Sequence, residues 1–295
     1  MRKTLIVPEK EKKERLDKFL QDKLKEVSRT KIRCLIKKGE VKVNKEIKKP
    51  NYRIKPNDKI EISFKKEKVN LLSFEFDIKI IYEDEDIIVV DKPQGLIVHP
   101  HKKNFHQSLI NALIYMRKGL SSINPLRCGV VHRLDKETSG VMVLAKNNFS
   151  HLDLVNQFKE RKVKKEYYAI CWGNLSGKIT VDLPLARDKK NPFRMRISFL
   201  KAKNAYTEIK VIKKLGNSTL LVIYPHTGRM HQIRTHLQFI GYPVVGDKKY
   251  GIKDGYKELF LHAYKLGFYH PRTGKFLEFI SPLPERFKKF IKENV

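Results

Sequence analysis

A dense polar insert, His132 to Gly140 (HRLDKETSG), interrupts two apolar, β-branched runs in the stretch GVVHRLDKETSGVMVLAK. Strands of this pattern ordinarily join through a short Gly/Asn turn. Here the connection carries an Arg, an Asp, a Lys, a Glu, a Thr and a Ser between two segments that both read as buried. Asp135 has a cation two positions before it and hydroxyls shortly after, the setting of an anchored reactive group. A carboxylate acts as nucleophile or base only while ionised, and a nearby cation favours that form. Asp and Thr-Ser-Gly are also ordinary turn formers, so this loop alone leaves a purely structural turn open.

The remainder of the chain narrows the choice. With 295 residues it accommodates one large domain, or a large one plus a small one. Its 41% hydrophobic content is that of a folded protein. Lys and Arg outnumber Asp and Glu 63 to 32, a formal net charge of +31, which implies a polyanionic partner. Nucleic acid leads and an anionic membrane follows; the competing explanation is a general preference for lysine on solvated faces. No run approaches the roughly 18 apolar residues of a spanning helix, and MRKTLIVPEKEKK has too short an apolar segment for a signal peptide. Cys34, Cys128 and Cys171 are far apart and form no CxxC pair, which argues against disulfides or a zinc ribbon. They read as small core residues of a soluble protein in a reducing cytoplasm.

Residues 1–64 read as a separate unit. Leu16, Phe19, Leu20 and Leu24 form one apolar helical stripe. Ser28 is placed to cap a second helix, with Ile32, Leu35 and Ile36 inward and Gly39 ending it. Arg29, Arg33 and Lys37, spaced by four, share the opposite face. The period then changes to two: Val41 and Val43 precede an Asn44-Lys45 turn, and Ile60, Ile62 and Phe64 follow a Pro56-Asn57-Asp58 turn. Residues 1–70 hold +13 of the net charge, a density suited to gripping phosphates, with a solvated helix face as the alternative. Residues 65–74 read as a linker. Residues 75–295 follow as a larger domain, opening on a hairpin around Glu83–Asp86. Ser108 and Ser150 are expected to cap helices, and strands are expected at YYAICWG, TEIKVIKKLG, TLLVIYP and FLEFISP. A short helix near HQIRTHLQFIG closes at Gly241. Strands outnumber helices and come in hairpin-like pairs, which predicts an α+β class with a mainly antiparallel mixed β-sheet.

Three further constellations accompany the insert. Tyr167 and Tyr168 point to opposite faces of one strand, so one can enter a cleft while the other packs inside. Arg229, His231, Gln232, Arg234 and His236 crowd the start of a short helix, a grouping suited to a phosphate-bearing ligand or to steadying a carboxylate. His226, His231 and His236 are spaced by five, about 140° apart on a helix, so they do not share a face and no metal site is expected. Leu261 precedes His262 on an apolar stretch that reads as core. No GxxxxGK[ST], GxGxxG or GxSxG motif is present, which speaks against an NTPase, a dinucleotide enzyme or an α/β-hydrolase.

In this order, IIVVDKPQGLIVHP, GVVHRLDKETSGVMVLAK, KKEYYA, TGRMHQIRTH and GYPVVGDKKYG followed by LHA resemble the RluA-type pseudouridine synthases. The resemblance spans about residues 76 to 285 and is closest to the RluD-type branch. Residues 13–62 resemble the RNA-binding module first seen in the fourth small-subunit ribosomal protein. The resemblance implies the pseudouridine synthase fold, no cofactor, and an RNA partner, with large-subunit ribosomal RNA expected from the N-terminal module; a transfer RNA substrate and a non-catalytic RNA-binding assembly protein are the alternatives. A monomer is expected. It further implies Asp135 as nucleophile, on the anomeric carbon or through an elimination that it begins. Arg234 would pair with Asp135 and keep it ionised. Tyr167 would stack under the base and assist removal of the C5 proton, for which a phenol of ordinary pKa near 10 is a poor base. Arg133 would help extrude the base and Leu261 would line the uracil pocket, while Arg29, Arg33 and Lys37 contact RNA. Met230 and Thr235 depart from the family pattern, where a small hydroxyl residue and an aliphatic one are common.

Overall fold

The computed structural model describes residues 2–9, 14–24, 27, 29–63, 71–101 and 106–294. They form two compact units, Met1–Lys68 and Val69–Val295. Ser28, Phe64 and residues 65–70 of the expected linker lie outside the described residues.

In the first unit, β1 (Arg2–Ile6), α1 (Leu16–Lys23), α2 (Arg29–Lys37), β2 (Val41–Val43) and β3 (Lys59–Ser63) follow in order. The strands make an antiparallel sheet in the order β1-β3-β2. Leu16, Phe19, Leu20, Ile32 and Ile36 pack on Val41, Val43, Ile60 and Ile62, so the helical and alternating stripes read from the sequence meet in one core. Asn44 and Lys45 both take left-handed backbone, the two-residue turn that matches strand twist. Strand β1 was not expected: its residues do not alternate, and pairing with β3 makes it a strand.

The second unit contains β4 (Lys79–Glu83), β5 (Ile87–Lys92), α3 (Leu109–Tyr115), β6 (Ser139–Ala145), α4 (Asn148–Lys159) and β7 (Lys164–Trp172). It continues through β8 (Lys178–Asp182), β9 (Leu185–Arg187), β10 (Met195–Ile197), β11 (Tyr206–Leu215), β12 (Ser218–Pro225) and α5 (Gln232–Phe239). It ends with β13 (Leu261–Tyr269), β14 (Phe276–Ile280) and α6 (Glu285–Glu293). One large sheet runs β4-β5-β6-β13-β7-β12-β11-β8, with β14 on β13 and β9–β10 a separate hairpin. Among the strands described in this sheet only β6 and β13 pair in parallel, so the sheet is mixed and mainly antiparallel, as its sequence pattern implies. Strands β5 and β6 are buried on both faces. Ile88, Val90, Met142 and Leu144 face Leu109, Ile110 and Leu113 of α3, whereas Ile87, Val89, Val141 and Val143 face Leu154 of α4. Double burial explains why these runs are continuously apolar. Residues 71–74 pack here too: Leu72 O accepts from Asn111 Nδ2 (2.6 Å), and Phe74 N–H donates to Asn111 O (3.1 Å). No helix among the described residues is long and apolar enough to cross a membrane.

Two expectations are corrected. Ser108 caps α3, but the cap of α4 is Asn147, whose side chain accepts from Ser150 N–H at 2.9 Å. Ser150 lies inside the helix and donates its hydroxyl to Asp86 at 2.9 Å. The cysteines are not uniformly core: Cys171 is buried, Cys128 half-buried and Cys34 exposed.

Asp86, 3% exposed, ties the β4–β5 turn to the loop after β13. Arg272 donates to it from Nε (2.6 Å) and Nη2 (2.8 Å), and Asn147 Nδ2 adds a third contact at 2.8 Å. The Arg272 hydrogen bonds hold the Asp86 carboxyl well below the usual range; burial opposes them, and Asn147 and Ser150 reinforce them. A depressed carboxylate stabilises the fold above its unfolded pKa and loses that contribution as pH falls toward its folded value. Asp86→Asn is therefore expected to lower Tm by roughly 5 °C at pH 7. The gap to wild type should narrow below about pH 4 in thermal scans; a constant gap down to pH 3 would count against this linkage.

Candidate active site

The expected site residues of the second unit come from four segments and meet at one cavity of about 630 Å³. Arg133 and Asp135 come from the turn before β6, Tyr167 from β7, Arg234 from α5 and Leu261 from the start of β13. The sheet brings these segments together: Ala263 pairs with both Gly140 and Tyr167, and Leu261 pairs with Ala169. Gly140, at φ +121°, lies so close to β13 that an added Cβ would sit 2.1 Å from Ala263 O. Only glycine permits that approach.

The insert 132–140 is pinned from several sides. His132 accepts the Val143 N–H at Nε2 (3.1 Å) and stacks on Phe158, so it anchors the loop to β6; burial pushes its pKa down to about 3. Leu134 is buried in the core, and Thr138 N–H closes the turn onto Asp135 O at 3.1 Å. Beneath it lies Lys92, fully buried, whose ammonium donates to Pro93 O (2.8 Å), Leu96 O (2.8 Å) and Lys136 O (3.3 Å). Burial pushes Lys92 down to about 7, against the opposing pull of Asp135, Glu137 and Asp91. Gly95 N–H donates to the same Lys136 carbonyl at 2.9 Å. Between these supports Arg133 stays exposed at the cavity, while Asp135 keeps 18% of its side chain accessible.

Arg234 is engaged differently from the expectation. Its short contacts go to Asp247, Nε–Oδ2 at 2.7 Å and Nη2–Oδ1 at 2.6 Å, while Nη1 lies 3.7 Å from Asp135 Oδ2. Burial works against both charges of the Arg234–Asp247 pair. Their mutual attraction outweighs it, leaving the arginine pKa raised and the aspartate pKa lowered. Asp247 was missed because GDKKYG reads as an ordinary turn and contains nothing to indicate a buried carboxylate 13 residues from its partner. Tyr167 lines the cavity, whereas Tyr168 packs edge-on against Tyr264. Burial, aided by the Asp135 charge, raises the Tyr167 pKa far above its ordinary value, so the phenol stays protonated. This removes its use as a ready base. Leu261, 3% exposed, belongs to the core and to the cavity wall at once. Of the three histidines, His226 is half-exposed beside Glu208, His231 contacts Tyr250, and His236 bonds Thr207 and Leu183 O. Thr235 Oγ1 is buried without a hydrogen-bond partner among the described residues, so this departure from the family pattern leaves a desolvated hydroxyl.

In the first unit, Arg29 and Arg33 do not simply point into solvent. With Arg15 they surround Asp17, whose side chain is fully buried, at 3.2, 3.7 and 3.0 Å. One carboxylate against three guanidiniums leaves an excess of positive charge fixed in place. Arg15, Arg33 and Lys37 line a shallow groove with Lys49, Pro50 and Asn51.

Asp247→Asn leaves the Arg234 charge buried without its counter-ion, and urea unfolding should show a loss of about 3 kcal/mol. An unchanged midpoint would refute this role for the pair.

A family model described as RNA pseudouridylate synthase matches residues 86–239, and one described as S4 domain matches residues 14–60. The chain is 40% identical to the uncharacterized RNA pseudouridine synthase YlyB of Bacillus subtilis, over 98% of this chain and 96% of that protein. It is 37% identical to the ribosomal large subunit pseudouridine synthase D of Buchnera aphidicola, over 92% of this chain and 90% of that protein. Among solved structures, human RNA pseudouridylate synthase domain containing 1 matches with a TM-score of 0.59 and 26% identity, covering 70% of this chain and 84% of that one. The chain belongs to the RluA-type RNA pseudouridine synthases, with an S4 RNA-binding domain ahead of the isomerase unit.

Proposed function

We propose that the protein converts uridines of large-subunit ribosomal RNA to pseudouridine, with Asp135 as the group that opens the glycosidic bond. The observation that carries this reading is the meeting of Asp135, Arg234, Tyr167, Leu261 and exposed Arg133 at one cavity. The reaction breaks the bond from ribose C1′ to uracil N1, turns the base, and joins C1′ to C5; the proton lost from C5 balances the one gained at N1. No other reactant is consumed. Arg133, on the rim, enters the space left by the flipped base, and the positive surface offsets part of the few kcal/mol that flipping costs. Leu261 and neutral Tyr167 wall the base. Because Tyr167 is held protonated, the carboxylate released from the sugar, rather than a tyrosinate, is the group at hand for the C5 proton. The ribosomal assignment is supported by the large-subunit enzyme of Buchnera aphidicola, similar along 92% of this chain.

On RNA tritiated at uracil C5, Asp135→Asn should lower tritium release on the order of 10⁴-fold while gel-shift affinity persists; retained release would overturn the nucleophile assignment. Mapping of pseudouridines in cells lacking the protein should show losses in large-subunit ribosomal RNA. Losses confined to transfer RNA would overturn the substrate. Arg33→Gln with Lys37→Gln should reduce the slope of log affinity against log salt by about 1.4, two single-strand phosphate contacts. An unchanged slope would remove the S4 groove from the RNA path.

A further inference from the structure

His231 opens α5 in left-handed backbone (φ 53°, ψ 21°) and is 8% exposed, a strained and buried position for a residue that was expected only to help crowd the helix start. Its two ring nitrogens have different surroundings. Nδ1 lies 2.8 Å from the Tyr250 hydroxyl, and that same oxygen accepts the backbone N–H of Met195 on β10 at 2.6 Å. A backbone N–H can only donate, so it occupies an acceptor position of the phenol and leaves the phenol proton for another partner. Among the described residues the partner in reach is His231 Nδ1. Nδ1 therefore accepts, and the proton of the neutral ring sits on Nε2. Nε2 faces Asp135 Oδ2 at 3.9 Å, and Arg234 Nη1 faces the same oxygen at 3.7 Å. Both donors converge on Oδ2, and among the described residues no hydrogen bond to Oδ1 of this cavity-lining side chain is found.

We propose that His231 is a positioning residue, a neutral Nε2–H donor that with Arg234 holds Oδ2 of Asp135 so that Oδ1 is presented to the ribose. Tyr250 and the Met195 N–H set its tautomer, which couples the β9–β10 hairpin to the reactive carboxylate. The arrangement rests on Asp135 being the nucleophile. Burial pushes the imidazole down to about 4; the Asp135 and Asp247 charges pull it up, and those of Arg234 and Lys249 push it further down. A neutral donor suits this place, because a second full cation beside Arg234 would compensate the carboxylate charge that the reaction needs. A shift of about 1 Å would bring either donor to hydrogen-bond length.

Nitrogen-resolved NMR of the full-length wild-type protein at pH 7 reads the tautomer directly, with the His231 signal identified by its loss in His231→Gln. The expected result is a neutral ring protonated on Nε2. A ring protonated on Nδ1, or an imidazolium, overturns the proposal whatever the fate of the Asp135 assignment. In single-turnover assays His231→Leu should lower the rate roughly 10–100-fold with RNA affinity within about twofold. His231→Gln, which returns an N–H donor to the Nε2 position, should recover most of that loss. A wild-type rate in the Leu variant, or a Gln variant no better than Leu, would also overturn it. Failure of Asp135→Asn to lose activity would instead sink the underlying nucleophile assignment and leave the tautomer result standing.

Discussion

The buried pair of Arg234 and Asp247 is the interaction on which the site depends. Two charges removed from water are tolerated only when their geometry is good and their remaining lone pairs are used. Asp247 meets both conditions: it takes two short bonds from Arg234, and its Oδ1 also accepts the backbone N–H groups of Lys249 and Tyr250. The pair thereby fixes where α5 begins and where Tyr250 stands. With Arg234 committed, its Nη1 faces Asp135 at longer range. The arginine contributes field and orientation without a short hydrogen bond to Asp135. A carboxylate whose only partner was a bidentate arginine would have both oxygens occupied.

The second requirement is a polar turn held rigid at the entry to the buried strand β6, the run before it making only an isolated bridge, Val130 to Leu144, rather than a strand. Its backbone carbonyls cannot be left unsatisfied there. Lys92 meets that need from below by donating to three carbonyls, one of them in the turn itself. Gly140 lets β6 approach β13 closely enough to set the turn against Leu261 and Tyr167. Asp135 is thus positioned by groups that its own polar neighbours do not supply. In the S4 unit the same physics works differently, because Asp17 gathers three arginines and leaves their excess charge at the surface.

Much of this was legible in the chain. The stripes of α1 and α2, the alternation of β2 and β3, and the apolar runs of β5 and β6 report burial directly, since burial selects residue type at each face. Asp135, Tyr167 and Arg234 were legible as motif members, and the cavity does bring them together. Asp247, Lys92 and Tyr250 were not assigned roles. Each acts through a partner distant in sequence, and nothing in a single chain marks which lysine lies under a loop. The cap at Asn147 was missed because Ser150 is an equally good capping type, and Asp86 draws Ser150 inward.

The sequence by itself determined the two-unit plan, the basic character of the chain and the mixed sheet, because each is written in composition or in local periodicity; Asp135 stood out through its motif. Tertiary structure alone decided that Arg234 binds Asp247 first, that burial raises the Tyr167 pKa above its ordinary value, and that His231 turns Nε2 toward Asp135. Those outcomes depend on burial and on hydrogen-bond partners drawn from separate strands and loops. Both are properties of three-dimensional packing, which local sequence does not encode.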